Sequence, residues 1–349
     1  MGAGAGAGRG GAGAGTRGGA GARGARGARG AGVRARSARQ GPGPGGAGHW
    51  GAFSAAAGGH WRGVQATFSG AGEPQELPAI YVPEAFREWG DGLYDWQTHC
   101  SVACGDPPAC GVDIVVRRLV PLAACESVNI ETVDESYSIL RTDVDRNLGE
   151  AKTVLSDGSF SAGTRELDRE KVWRVEHCLA TGEDERVRVV QRVNYSEWAG
   201  GWVAKTLQVD AEERLPSPPA PGEDPLDGRV VVDDRIFATS APVLATEVSD
   251  GQRWGGFQGI LYENADGRFA ERRRDGEAAE EARCPLRSDS TGLFGLPLGV
   301  WSRVEQVGED VVVLEAGVVR GASRTFSRRV YEGAGLRLTQ VVIGSEAAA

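Results

Sequence analysis

From residue 60 onward, apolar and polar positions trade places every second residue over short stretches, the period of half-buried β-strands. Residues 60–68 are largely of this kind, with Trp61, Val64, Ala66 and Phe68 as the apolar set. The pattern predicts further strands at 94–102, 113–120, 127–134, 137–143, 151–155, 159–166, 172–180, 186–195 and 202–209. After a break it predicts strands at 229–239, 243–248, 256–263, 282–287, 299–307, 310–319, 323–331 and 336–343. One short helix is predicted, opened by Pro83 and Glu84, with Phe86 and Trp89 on one face and Gly90 and Gly92 to stop it. Such a helix is placed to plug the end of a barrel. Many short strands without long crossover helices indicate an all-β, antiparallel fold. About eight strands in the second set suit a closed barrel, which has no exposed edges.

The break is LPSPPAPGEDPLDG, residues 215–228, with five prolines. It divides the folded body into two barrels, residues 49–212 and 229–345, joined by a Pro-rich linker at 213–228. Within the second, the charged run 267–281 reads as a solvated loop. Trp61-x-Gly63 and Trp254-x-Gly256 stand on the opening strands of the two.

Composition changes this picture at the N-terminus. Residues 1–48 are mostly Gly and Ala, with eight arginines and no acid. Such a segment buries too little to repay its backbone entropy, so disorder is expected. It has no apolar core of a secretory signal, and its Arg-rich, acid-free start is that of an organelle transit peptide. An RG-rich segment that contacts RNA is the alternative. The body keeps 31 basic against 48 acidic residues, a charge of −17. That argues against nucleic acid as its partner, because phosphate contacts need a basic face. No apolar run reaches the ~20 residues of a transmembrane helix.

The candidate chemistry is sparse. On the strand at 94–102 the period places Asp95, Gln97, His99 and Ser101 on one face and Trp96, Thr98, Cys100 and Val102 on the other. The polar face grips a ligand headgroup if it lines a cavity; facing water is the expectation. His99, with Asp95 or Glu88, is the weak candidate for acid/base work. His99, Cys100, Cys104 and Cys110 offer soft ligands at irregular spacing, so no metal site is assigned; a regulatory Cys104–Cys110 disulfide is the stronger reading. Arg186, Arg188 and Arg192 share a strand face. Turned inward they would hold carboxylates; turned outward, the expected case, they balance the acidic surface. Tyr195, Trp198 and Trp202 either line a barrel mouth or pack between the barrels.

The stretches PQELPAIYVPEAFREWGDGLYDWQTHC and LPLGVWSRVEQVGEDVVVLEAGVVRGASRTFSRRVYEGAGLRLTQVVIGSE resemble a lipocalin-like (calycin superfamily) family of photosynthetic organisms known only as a domain of unknown function. The resemblance spans about residues 49–345. It implies two calycin-type barrels in tandem and a plastid address, the stroma before the thylakoid lumen. It brings no assigned reaction and names no cofactor. The chain departs from lipocalins proper in the order Trp-x-Gly, which they show as Gly-x-Trp. The resulting expectation is a plastid protein that binds or carries an apolar small molecule: a pigment, tetrapyrrole, isoprenoid or fatty acid. Candidate ligand contacts are Trp61, Trp96, Gln97, His99, Arg188, Arg192, Trp202 and Trp254. An isomerase, cyclase or lyase acting on such a molecule, or an assembly factor of the photosynthetic apparatus, are the alternatives.

Overall fold

The structure is a computed structural model that describes residues 44–82, 84–90, 92–106, 111–119, 132–139, 150–164, 166–217, 237–249, 254–265, 268–275, 292–333 and 335–348. The leader up to residue 43, the Pro-rich linker from residue 218, and the strand expected at 282–287 lie outside them.

The first half contains α1 (Pro44–Ala57), β1 (Gly59–Ser69), α2 (Glu84–Trp89), β2 (Asp95–Cys104), β3 (Val112–Leu119), β4 (Thr132–Ile139), β5 (Glu150–Val154), β6 (Phe160–Thr164), β7 (Trp173–Ala180), β8 (Glu185–Ser196) and β9 (Gly201–Arg214). The second contains α3 (Ala245–Val248), β10 (Trp254–Ala265), β11 (Arg268–Asp275), β12 (Leu293–Gly295), β13 (Val300–Val307), β14 (Val311–Arg320), β15 (Ser323–Glu332) and β16 (Gly335–Ala348). The strands form two antiparallel sheets, ordered β4-β3-β2-β1-β9-β8-β7-β6-β5 and β11-β10-β16-β15-β14-β13-β12. In each, the opening strand pairs with the last, as in a barrel meander. Among the described residues no ladder joins β4 to β5 or β11 to β12, so neither sheet is closed into a barrel by them. A curl is directly visible in the first: Tyr137 of β4 donates its hydroxyl hydrogen to Glu176 of β7 at 3.0 Å, across the concave side.

The two sheets pack back to back. Val187, Val189, Leu207 and Val209 from the first meet Val304, Val312, Leu314 and Ala316 from the second in one buried apolar cluster. Polar pins cross this shared wall. Gln191 Nε2 donates to Ser302 Oγ at 2.8 Å and to the Glu315 carbonyl at 2.8 Å. His177 Nδ1 lies 2.9 Å from Ser327 Oγ, and the Tyr331 hydroxyl donates to the Thr164 carbonyl at 3.0 Å. Buried polar contacts of this kind tie the two sheets to one register.

Several local expectations are corrected. Of the strands expected at 127–134 and 137–143, the described residues 132–139 form one strand, β4, which runs through the intended turn. Residues 243–248 are not a strand: Leu244 caps the one-turn helix α3 through the reciprocal bond of its N–H to Glu247. The charged run read as a loop contains β11, an edge strand, where charged residues discourage pairing with another chain. The helix that closes an end of the first sheet is α1, not α2. Its Phe53 and Ala57 are buried against Trp61, Cys100, Val102 and Phe160, whereas α2 leaves Glu84, Arg87 and Glu88 exposed.

Candidate functional site

The concave face of the first sheet is built by the even-numbered positions of β2, β3, β7, β8 and β9 and the odd-numbered positions of β1. Its contents are mixed: an apolar cluster that includes Trp61, Cys100, Val102, Val112, Ile114 and Val116 lies beside a set of buried charges. Arg188 Nε and Nη2 donate to Glu212 Oε2 and Oε1, both at 2.9 Å, and Nη1 donates to Glu176 at 3.2 Å. Arg186 donates to the same Glu212 at 2.6 Å. Gln65 donates to Asp210 at 2.5 Å, and Arg118 pairs with Glu135 at 2.6 Å. Burial alone would raise the Glu212 carboxyl, but Arg186 and Arg188 hold it down at about 2. Burial raises Asp210, which Arg188 only partly offsets.

This arrangement overturns the outward placement expected for the arginines. Arg186 and Arg188 point inward and are buried, their charges met by acids of β9 and β7. Arg192 is exposed, beside a bulge between Arg192 and Val193 that interrupts the alternation. Trp61, also inward, is held between two guanidinium groups, with the Arg186 and Arg214 Cζ atoms 3.9 and 4.2 Å from its ring centre. Its Nε1 donates to the Ala57 carbonyl at 3.2 Å, so the C-terminal end of α1 and strand β1 share it. Trp61 and Arg188 are therefore committed to partners within the chain.

The other candidates are dispersed. Trp96 is buried at the far end of the concave face, edge-on to Tyr81 at 5.3 Å. Trp202 is part of the shared wall and stacks edge-on with Tyr195, while Trp198 is 97% exposed and lines nothing. The side chain of Trp254 lies outside the described residues. Asp95 accepts the backbone N–H of Ala238 at 2.9 Å and anchors the short turn at Phe237–Thr239; burial raises its carboxyl. Cys104 carries a free thiol, and Cys110, its expected partner, lies outside the described residues. Among the described residues no group of three or more His, Cys, Asp or Glu side chains is placed to hold a metal ion.

On the convex face of β1, β2, β8 and β9 matters differ. There Gln97, His99 and Ser101 share a face, as the period requires, with Arg62 and Val64 beside them. His99 is buried; its Nε2 lies 3.2 Å from His60 Nδ1, and the rings stack with 3° between their planes. Burial, then His60 and Arg117, lower its pKa to about 4, so it is neutral at pH 7. Next to this pair opens a cleft of about 410 Å³, lined among others by Arg62, Val64, Gln97, Glu185, Val187, Ala211, Glu213 and Arg320. Val64 faces Gln97 and Ala211 across the ladders, and Ala211 faces Val187, which makes an apolar row with one amide at its end. The next row is charged: Arg62 pairs with Glu213 at 3.2 Å, and Arg320, reaching over from β14, pairs with Glu185 at 2.8 Å. The cleft is thus the open margin of the shared wall, floored by one sheet and overhung by the other. The periodicity placed Gln97 and His99 on one face; Arg320 was not legible, because only the packing of two distant halves brings it there.

No family model matches the chain, and no curated protein matches it. Among solved structures it is similar to a protein of unknown function of the DUF3598 family from Nostoc punctiforme, with a TM-score of 0.47 and 14% identity, covering 86% of this chain and 98% of that one. It is also similar to the S-type phycobiliprotein lyase CpeS from Guillardia theta, with a TM-score of 0.28 and 14% identity, covering 49% of this chain and 94% of that one. Likeness at these levels transfers no activity. Among the described residues no helix is long and apolar enough to cross a membrane.

Proposed function

We propose that the chain is a small-molecule binding protein, and that its ligand is an amphiphile seated in the convex cleft rather than inside a barrel. The observation that carries this reading is the contrast between the two faces. The concave face of the first sheet is occupied by Trp61, Arg186, Arg188, Glu212 and their partners. The cleft, by contrast, offers about 410 Å³ with an apolar floor and a few polar groups at its rim, which is the composition of ligand pockets and within their range of roughly 300–1,000 Å³. A pure hydrocarbon such as a carotene would leave Gln97 and the rim charges without use. A fatty acid, or a pigment or tetrapyrrole that inserts one edge, meets them. The plastid address remains part of the proposal and rests on the Arg-rich, acid-free leader.

Two measurements test it. The body is purified from a pigment-making photosynthetic host, its bound small molecules are extracted, and an environment-sensitive fluorophore is titrated into the emptied protein. Binding is expected, with loss of both signals in Ala211→Trp, which fills the floor of the cleft. Equal binding by Ala211→Trp, with its fold intact by circular dichroism, overturns the site. For the address, residues 1–43 are fused to a fluorescent protein; a cytosolic or nuclear signal removes the plastid assignment.

A further inference from the structure

We infer that the cleft selects its ligand through a carboxylate, received by Arg62 and Arg320; this rests on the reading of the cleft as a binding site and narrows it to one chemical class. Four charges stand in a row across the rim, Arg62, Glu213, Glu185 and Arg320. Glu213 and Glu185 face each other directly across the β8–β9 ladder, and like charges in that relation repel. Each is relieved from its own side. Arg62 Nη2 donates to Glu213 Oε2 at 3.2 Å. Arg320 Nη1 donates to Glu185 Oε2 at 2.8 Å, and its Nη2 donates to Thr181 Oγ1 at 3.2 Å.

The two members of the first pair are not equally rooted. The Arg62 side chain is 29% exposed and that of Glu213 60% exposed. The arginine stem is part of the cleft wall, and the glutamate carboxylate stands out in water. An ion pair of this kind contributes little to stability, because water competes for both partners. A ligand carboxylate that replaces Glu213 on Arg62 leaves the guanidinium paired and returns Glu213 to full hydration. The bidentate fork of a guanidinium suits that exchange. A ligand ammonium has no such route. It would meet carboxylates that each already carry a guanidinium, Glu213 with Arg62 and Glu185 with Arg320. His99, the cross-strand neighbour of Arg62, is neutral at pH 7 and adds no competing charge. One row along the strands, Val64, Ala211 and Val187 wait for the apolar part of the same molecule. Arg62 and Arg320 come from different sheets and both line the cleft.

Dodecanoate, its methyl ester and dodecylamine, at concentrations below micelle formation, test this by calorimetric titration of the full chain. The expected result is that dodecanoate binds at least ~10-fold more tightly than the ester or the amine, the scale of one charge-assisted hydrogen bond. That preference should disappear in Arg62→Gln and shrink in Arg320→Gln, whose exposed side chain is removable without harm to folding. Arg62→Lys, which keeps the charge but not the fork, should restore it in part. If acid and ester bind equally, or the amine binds best, while Ala211→Trp still abolishes binding, the carboxylate assignment is overturned and the cleft survives. If none of the three binds to the wild-type chain, or Ala211→Trp binds as well as wild type, the cleft reading itself falls.

Discussion

Arg188 and Glu212 meet inside the first sheet as a two-pronged pair, both N–H···O distances being 2.9 Å and both side chains essentially inaccessible to water. Taking two charges out of water is costly, and the pair stands because Glu176, Asp210 and Arg186 complete the coordination. Removing one member strands the others. Glu212→Gln is expected to lower the unfolding free energy by ~3–5 kcal/mol, whereas replacing Arg188 and Glu212 together by apolar residues of similar volume should recover part of that loss. Urea denaturation of the single and double variants checks both; a single variant with wild-type stability would show that the pair is not held as described.

Stability should fall on the acid side of neutrality. His99 is held at about 4, against 6.5 for an ordinary histidine, by burial first and then by His60 and Arg117. His177 is held lower still, at about 3, by burial and Arg329. The unfolded chain therefore takes up these protons first. Stability is complete above about pH 6.5 and is lost as pH falls toward 4. Glu212, held at about 2 in the fold against 4.5 when free, adds a loss of the same sign below pH 4.5. The urea midpoint should drop between about pH 7.5 and about pH 5, and His99→Gln should flatten that slope. An unchanged slope in the variant would exclude His99 as a source.

Gly63 is required by its neighbour. A Cβ there would stand 2.1 Å from the backbone carbonyl oxygen of Ala211, which cannot move without breaking the β1–β9 ladder. Gly63→Ala is expected to destabilise by about 3 kcal/mol or more. Gly51, in α1, has nothing within 4 Å of its own added Cβ. Gly51→Ala should stabilise by about 0.5–1 kcal/mol, as a helix interior prefers Ala. Thermal melts of the two variants should thus move in opposite directions.

Truncation separates the leader from the plug. Removing residues 1–43 leaves α1 whole and should leave the melting temperature unchanged. Removing residues 1–57 deletes Phe53 and Ala57 from their cluster with Trp61 and Phe160. Phe53→Ala alone is expected to cost about 3–5 kcal/mol. A melt of the longer truncation that matches the full chain would show that α1 is dispensable.

The alternation of side chains disclosed most of the strands and the two faces of β2, because period two is local and survives in any sheet. It did not disclose which face turns inward. Arg186 and Arg188 are concave only because β9 brings Glu212 and Asp210 to the same face, and β9 lies beyond a hairpin. The Trp61-x-Gly63 pair was legible as a motif, and its reason is now physical: one residue fills the closed end and the other lets β9 approach. The helix α1 was hidden by its glycines, although Trp50, Phe53 and Ala57 already fall at helical spacing. The floor of the cleft was partly written in Gln97 and Val64; its overhang, Arg320, belongs to long-range packing that no local period encodes.

The back-to-back wall has one more outcome. Val189, Leu207 and Val209 of one half share a single buried apolar cluster with Val304, Leu314 and Ala316 of the other. Each half is the other's raincoat. Cut the chain between the halves and neither fragment stays dry; both would present a flat oily plate and clump until they find each other. Heated intact, the pair should come undone in one event, so that two modules by architecture are a single thermodynamic object.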